Sequence, residues 1–434
     1  MYSFQTGQRA PGALLARGRR AAVPRVVWWV GLSSLLADVS AESVTTALPI
    51  FLFTFLGLSP GQLGVLDGLY QGGASVAGIV AGYLADRRGS NRMVALLGYA
   101  LSALSRIGLL LGAGTGLLAP LASLCVDRVG KGIRTAPRDT IIAGHTAPEA
   151  LGAAFGVHRS MDAAGALLGP LVGGCVLWLM PDRYDLLFGI SFVFGVAGVL
   201  VFHARVPEPA RPSSDAPNSS AGAATAQGPL QAGAMATLLA SNKAFSGLLF
   251  LVICVSLFTI SDGLVYLFLQ HEAGIAVKYM PFMFVLTSTV FIVAAAPMGR
   301  LADRIGRIAT FIAGYGVLAL VYVWLAFGPR MGSVGAIVIV AAMGLFYAAT
   351  DGVLSATATR MLDPRVRTSG LALMTLAVGV TRIGSSSVYG WLWQGAELHR
   401  AMSVFAIGLT ACCVLAALVF RATRRNISDA GAAR

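Results

Sequence analysis

The sequence predicts an all-α membrane protein: twelve transmembrane helices in two six-helix bundles, with both termini cytoplasmic. Three observations carry that expectation. Of 434 residues, 56% are hydrophobic and only 12% are charged, whereas a soluble chain carries about 25% charged residues. Apolar segments of the roughly 20 residues needed to cross a bilayer recur along the whole chain. The connecting loops alternate between basic and nearly uncharged, which gives the segments a consistent orientation.

Taken in order, residues 1–25 hold Arg9, Arg17, Arg19, Arg20 and Arg25 and no acid. The apolar run behind them lacks a small-residue cleavage site, so a cytoplasmic tail is expected rather than a secretory signal. Spans follow at about 26–56, 61–85, 93–112, 116–142, 151–180 and 184–203. Residues 204–243 turn to Pro, Ser, Ala and Gly without periodicity, the composition of a disordered linker. Six more spans follow at about 244–270, 279–299, 308–328, 332–359, 368–394 and 398–420, and residues 421–434 form a basic tail. The domains expected are thus a 26–203 bundle and a 244–420 bundle.

The side holding both tails and the linker carries 21 Lys and Arg residues, and the opposite side carries Arg183, Lys278, Arg330 and Arg400. The positive-inside rule puts the basic side in the cytoplasm. The net charge of +13 therefore sets topology, and no nucleic-acid partner is needed to explain it. Cys125, Cys175, Cys254, Cys412 and Cys413 all lie in apolar segments without metal-ligand spacing, as small hydrophobes do. No metal or cofactor is expected.

An internal repeat supports the division into halves. Gly82-Tyr-Leu-Ala-Asp86-Arg87-Arg88-Gly89 recurs 217 residues later as Gly299-Arg-Leu-Ala-Asp303-Arg304-Ile305-Gly306, each copy after the second span of its half. Two repeats with a substrate site between them are a common plan of secondary transporters. The Gly-x-x-x-Asp-Arg-x-Gly pattern resembles the loop 2–3 motif of the major facilitator superfamily, although the first copy ends Ser90-Asn91-Arg92 and lacks one expected basic residue. In span 5, Gly156, Gly165, Gly169-Pro170 and Gly173-Gly174 match every fixed position of that superfamily's antiporter motif. Asp127-Arg-Val-Gly-Lys-Gly-Ile-Arg-Thr-Ala-Pro-Arg-Asp139, with Phe155-Gly-Val-His-Arg-Ser-Met-Asp162, resembles a prokaryotic subfamily of these permeases. The resemblance covers all twelve spans. It implies the major facilitator fold, a central cavity lined by spans 1, 4, 7 and 10, and a cytoplasmic latch at Asp86 between spans 2 and 11.

The charged stretch in span 4 dominates the candidate site. Asp127, Lys131, Arg134 and Arg138 are spaced by four, three and four, so one helix face carries them, while Arg128 and Asp139 point elsewhere. Charges inside a bilayer face a wet cavity or one another. Span 1 has a stripe of the same spacing: Asp38, Glu42, Thr45 and Pro49. Glu42, close to the midplane, is either a proton carrier or half of a permanent ion pair with Lys131 or Arg134; for Asp38 the structural pair is the first expectation. Lys131 and Arg134 are the residues chosen to contact an anionic group. Arg138 and Asp139, near the cytoplasmic end, either join the site or snorkel.

On span 5, His158, Arg159 and Asp162 are expected to form a buried network with spans 1 or 4. Asp67, Arg106, Asp262, Asp351 and Arg382 are isolated intramembrane charges; Asp262 and Asp351 are candidates for the site, and Asp351 is a partner offered to Arg382. No Gly-x-x-x-x-Gly-Lys-Ser/Thr, His-Glu-x-x-His or Gly-x-Ser-x-Gly is present, which argues against direct ATP use and against the common hydrolase classes. The expectation is a monomeric secondary carrier in a bacterial inner membrane, its partners a small organic solute, protons and the lipid bilayer. The span 5 resemblance favours proton-coupled export, with import of an organic anion as the alternative and a non-transporting receptor a distant third.

Overall fold

Proline, glycine and buried charge decide where these apolar segments bend, break and meet. The computed structural model describes residues 23–88, 90–115, 118–208, 239–329, 332–363, 367–395 and 397–432. The side chains of 79–88, 112–115, 148, 367–369 and 422–432 fall outside that description. Most of the expected linker and the N-terminal tail lie outside the described residues.

The first half holds α1 (Arg25–Ile50), α2 (Pro60–Arg88), α3 (Asn91–Thr115), α4 (Leu118–Gly144), α5 (Leu151–Leu179) and α6 (Tyr184–Arg205). After it come α7 (Lys243–Leu257), α8 (Asp262–Ala273), α9 (Met280–Ile305), α10 (Arg307–Phe327), α11 (Ser333–Met361), α12 (Arg367–Gly395) and α13 (Leu398–Ala432). Expected spans 8 to 12 are thus α9 to α13.

Among the described residues, ten spans are long and apolar enough to cross a membrane, with α7 and α8 counted as one. The 29-residue α2 and the 27-residue α4 have the length but stand outside the ten. In α4 the six charges from Asp127 to Asp139 account for that, and α2 is rich in glycine.

Expected span 7 was one helix from 244 to 270; the chain instead breaks at 258–261. Ser261 starts the second piece by accepting the Leu264 amide on Oγ at 3.3 Å, and Asp262 follows at the positive end of α8. The freed backbone groups have partners. Ile260 N–H donates to the Tyr322 hydroxyl at 3.1 Å, and Ser385 Oγ donates to the Thr259 carbonyl at 2.8 Å. Backbone without such partners would not persist at this depth.

Within the first half α1 packs on α5 and α6, α3 on α4 and α6, and α2 on α4; later, α11 packs on α9 and α10, and α13 on α10. The halves meet along α2–α12 and α5–α9. Glycine permits both kinds of contact. A Cβ on Gly165, Gly169 or Gly173 would stand 2.7–2.8 Å from atoms of Leu35, Glu42 or Ser43, so α5 lies flat on α1. Gly174 faces the Phe282 ring of α9. Gly156, by contrast, has nothing within 4 Å and takes no part in the α5 contact. Along α2, Gly64, Gly68 and Gly72 press on the α12 backbone at Ser386, Ile383 and Gly379.

Candidate functional site

Turning α4 against α1 and α3 brings its charged face onto the carboxylates that the sequence places there. Arg134 donates to Asp38 Oδ1 at 3.1 Å and to Ser102 Oγ at 3.2 Å, with its guanidinium 4.9 Å from the Tyr99 ring centre. Lys131 Nζ stands 3.6 Å from Glu42 Oε1. That pair is the wettest on the stripe, 33% and 22% exposed, whereas Arg134 and Asp38 are 3% and 11% exposed.

One turn toward the other end, Arg106 of α3 donates to Asp127 Oδ1 at 2.9 Å. Arg128 was expected to point away, yet it folds back onto Asp127 Oδ2, donates to the Tyr70 hydroxyl at 2.8 Å and stacks on that ring. Its side chain is long enough to return from the adjacent helix position, which spacing alone does not register. Arg106 is likewise not isolated. Asp127 therefore has its oxygens occupied by two arginines and serves to hold α3, α4 and α2 together.

Toward the C-terminal end of α4, Arg138 spans Asp139 at 3.1 Å and Asp162 of α5 at 3.7 Å. Asp139, expected off the stripe, is drawn in as its partner. His158 Nδ1 lies 3.5 Å from Asp162, but both ring nitrogens are buried without a hydrogen bond. Half-buried Arg159 has no carboxylate within 4 Å among the described residues. Arg106, Arg128, Lys131, Arg134 and Arg138 each lie within 4 Å of a carboxylate from the set Asp38, Glu42, Asp127, Asp139 and Asp162. Five cations meet five acids, so the cluster is neutral as it stands.

A second polar cluster lies at the α7–α8 break. Tyr347 of α11 donates to Asp262 Oδ1 at 2.6 Å, and Ser261 Oγ donates to Asp67 Oδ1 of α2 at 2.7 Å. Arg382 of α12 is buried within electrostatic reach of Asp262 and Asp351. The sequence named these carboxylates but gave no signal for Ser261 or Tyr347 beyond the Ser-Asp-Gly run at 261–263.

The two loop motifs are unequal. Gly82, Asp86, Arg87 and Gly89 lie outside the residues with described side chains. In the second copy Asp303 pairs with Arg307 at 3.3 Å within its own turn, Arg307 also donates to the Ala356 carbonyl, and Arg304 is exposed. Asp303 there acts as a local loop pair.

Long apolar helices closed around a charge-balanced interior define a multi-pass membrane protein. The chain belongs to the Major Facilitator Superfamily, whose model matches residues 30–378 and 251–434, and it is therefore a secondary transporter. It is 27% identical over 368 residues to an uncharacterised MFS-type transporter of Methanocaldococcus jannaschii, covering 85% of this chain and 88% of that one. A 159-residue stretch is 32% identical to a gallate transporter of Pseudomonas putida, covering 35% and 34% of the two chains. Among solved structures it resembles the nucleoside transporter NupG, with a TM-score of 0.73 at 14% identity over 92% of this chain and 99% of that one. A bacterial homologue of the human lysosomal transporter Spinster, inward-facing and unoccupied, gives 0.69 at 15% identity over 93% and 98%.

Proposed function

We propose that this chain is a proton-coupled carrier of a small organic solute, working by alternating access of two six-helix bundles, with α2 and α4 completing twelve spans. In this reading both termini are cytoplasmic, the membrane is a bacterial inner membrane, and the monomer is the working unit. The observation that carries it is the Lys131–Glu42 pair. It is the most exposed pair of the α4 stripe, flanked by the tight, buried Arg134–Asp38 pair.

Glu42 has three states open to it: paired with Lys131, protonated, or bound to a cationic group of the solute. Proton and solute then compete for one carboxylate, which is the logic of an antiporter. Because the remaining stripe is neutral, a change at Glu42 leaves one net charge in the interior, and that charge favours a compensating ligand. The span 5 motif adds support for export.

A second reading rests on the stretch similar to a gallate transporter. Protonation of Glu42 frees Lys131, and an organic anion takes its place, so that proton and anion travel together. The two readings differ in the charge of the solute and share the pair.

Purified protein in liposomes with an internal pH dye separates them. Gallate entering with a proton supports import, and a cationic or amphiphilic solute leaving against a proton supports export. Failure of a broad metabolite and drug panel to move or to shift internal pH overturns proton-coupled transport. Glu42→Gln is expected to keep solute exchange and to lose pH-driven accumulation.

A further inference from the structure

An acid with a buried oxygen lies away from the α4 stripe, where the two halves of the chain meet. Asp67 sits on α2, in the face pressed against α12, and reaches across to the α7–α8 break. Ser261 Oγ donates its proton to Asp67 Oδ1 while accepting the Leu264 amide, so one hydroxyl both caps α8 and joins the halves. The second oxygen of Asp67, Oδ2, is buried without a hydrogen-bond partner. Gln71 on α2 and Ser386 and Arg382 on α12 also face this carboxyl, and Arg382 Nε is itself buried without a partner. The neighbouring Asp262 is taken by Tyr347.

This differs from the α4 stripe in two ways. There, every acid has a cation at ion-pair distance; here, no cation lies within 4 Å of Asp67 among the described residues. The contact also crosses between halves, next to other cross-contacts. Gly61 N–H and Ser59 Oγ donate to Gln394 at 3.2 and 3.4 Å, and Phe53 stacks on Trp393. Separating the halves on this outer side would place Asp67 in water. Bringing them together strips that water and returns one serine hydroxyl.

We propose that Asp67 is a second proton-binding site, loaded when the outer side is closed and emptied when it opens. A carboxylate that exchanges its hydration for the Ser261 hydrogen bond and the neighbouring Gln71, Ser386 and Arg382, with one oxygen left unpartnered and no cation at ion-pair distance among the described residues, opposes closure, whereas the neutral acid does not. Proton binding at Asp67 thus holds α2 against α8 and α12. The inference rests on the two-bundle carrier reading, with Glu42 handling the solute and Asp67 handling closure.

The test reads distance instead of flux, so it does not depend on finding a solute. Spin labels at Ser59→Cys and Gln394→Cys, with the five native cysteines replaced by alanine, report the outer gap in lipid nanodiscs between pH 5 and 9. The expected result is one short distance at low pH and a growing long component as pH rises. Asp67→Asn should show the short distance at every pH. Ser261→Ala keeps the acid and removes its donor, so its opening should move to lower pH. The proposal is overturned if the parent distance ignores pH, if Asp67→Asn still opens with rising pH, or if Ser261→Ala opens where the parent does. Solute flux in liposomes that persists after any of these outcomes would leave the carrier reading standing without Asp67.

Discussion

Arg134 shows how much one buried charge can be asked to hold. It is 3% exposed, and its partners Asp38 and Ser102 come from two other helices. Removing it strands Asp38 in a poorly solvated site, which costs about 3–5 kcal/mol. Arg134→Ala is therefore expected to abolish transport and to lower the melting temperature of the purified carrier sharply. Adding Asp38→Asn should recover part of that stability and no transport, and a double variant as unstable as the single one would refute the pairing. Lys131→Ala, which removes the one-third-exposed partner of Glu42, should cost below about 1 kcal/mol while still losing solute coupling. The pairing of α4 with α1 was legible because steps of four and three on a helix define a face. The partners Arg106, Arg128, Tyr70 and Tyr99 were not, because long side chains choose their targets only once the helices have met.

At the scale of the helix, small residues decide distance and polar ones decide breaks. The antiporter-type motif of α5 announced a smooth face, and that face lies on α1 at Gly165, Gly169 and Gly173. A side chain at 169 would meet Glu42 Cβ at 2.7 Å with its first carbon, so Gly169→Leu must push α5 from α1 and displace Glu42, the proposed coupling acid. Gly156→Leu, facing open space, should fold and transport normally. Equal loss in both variants, measured as the amount of monodisperse protein and its flux, would mean that the motif acts some other way. The break before α8 escaped the sequence because hydropathy is high on both sides of it. Only Ser261-Asp262-Gly263 marked a helix start, and inside a long apolar run such a triplet competes with the stronger signal of length.

For the molecule as a whole, two kinds of pattern made the plan readable before any coordinate. The repeated Gly-x-x-x-Asp-Arg-x-Gly run pointed to two halves, and the count of basic residues per loop sets an expected orientation. How the halves touch was not readable, since glycine contacts such as Gly64 with Gly390 carry no pairing signal in one sequence. Orientation has a direct check, because exposed positions exist on both sides. Arg304, in the last turn of α9, lies on the basic side, and Glu397, between α12 and α13, lies on the other; both are exposed. The positive-inside rule predicts that the basic side is cytoplasmic. In intact cells a membrane-impermeant maleimide should then label Glu397→Cys and leave Arg304→Cys unlabelled until the membrane is opened. The reverse pattern would invert the carrier, turn the Ser59–Gln394 contact toward the cytoplasm, and exchange the sides from which Glu42 is proposed to take up and release a proton.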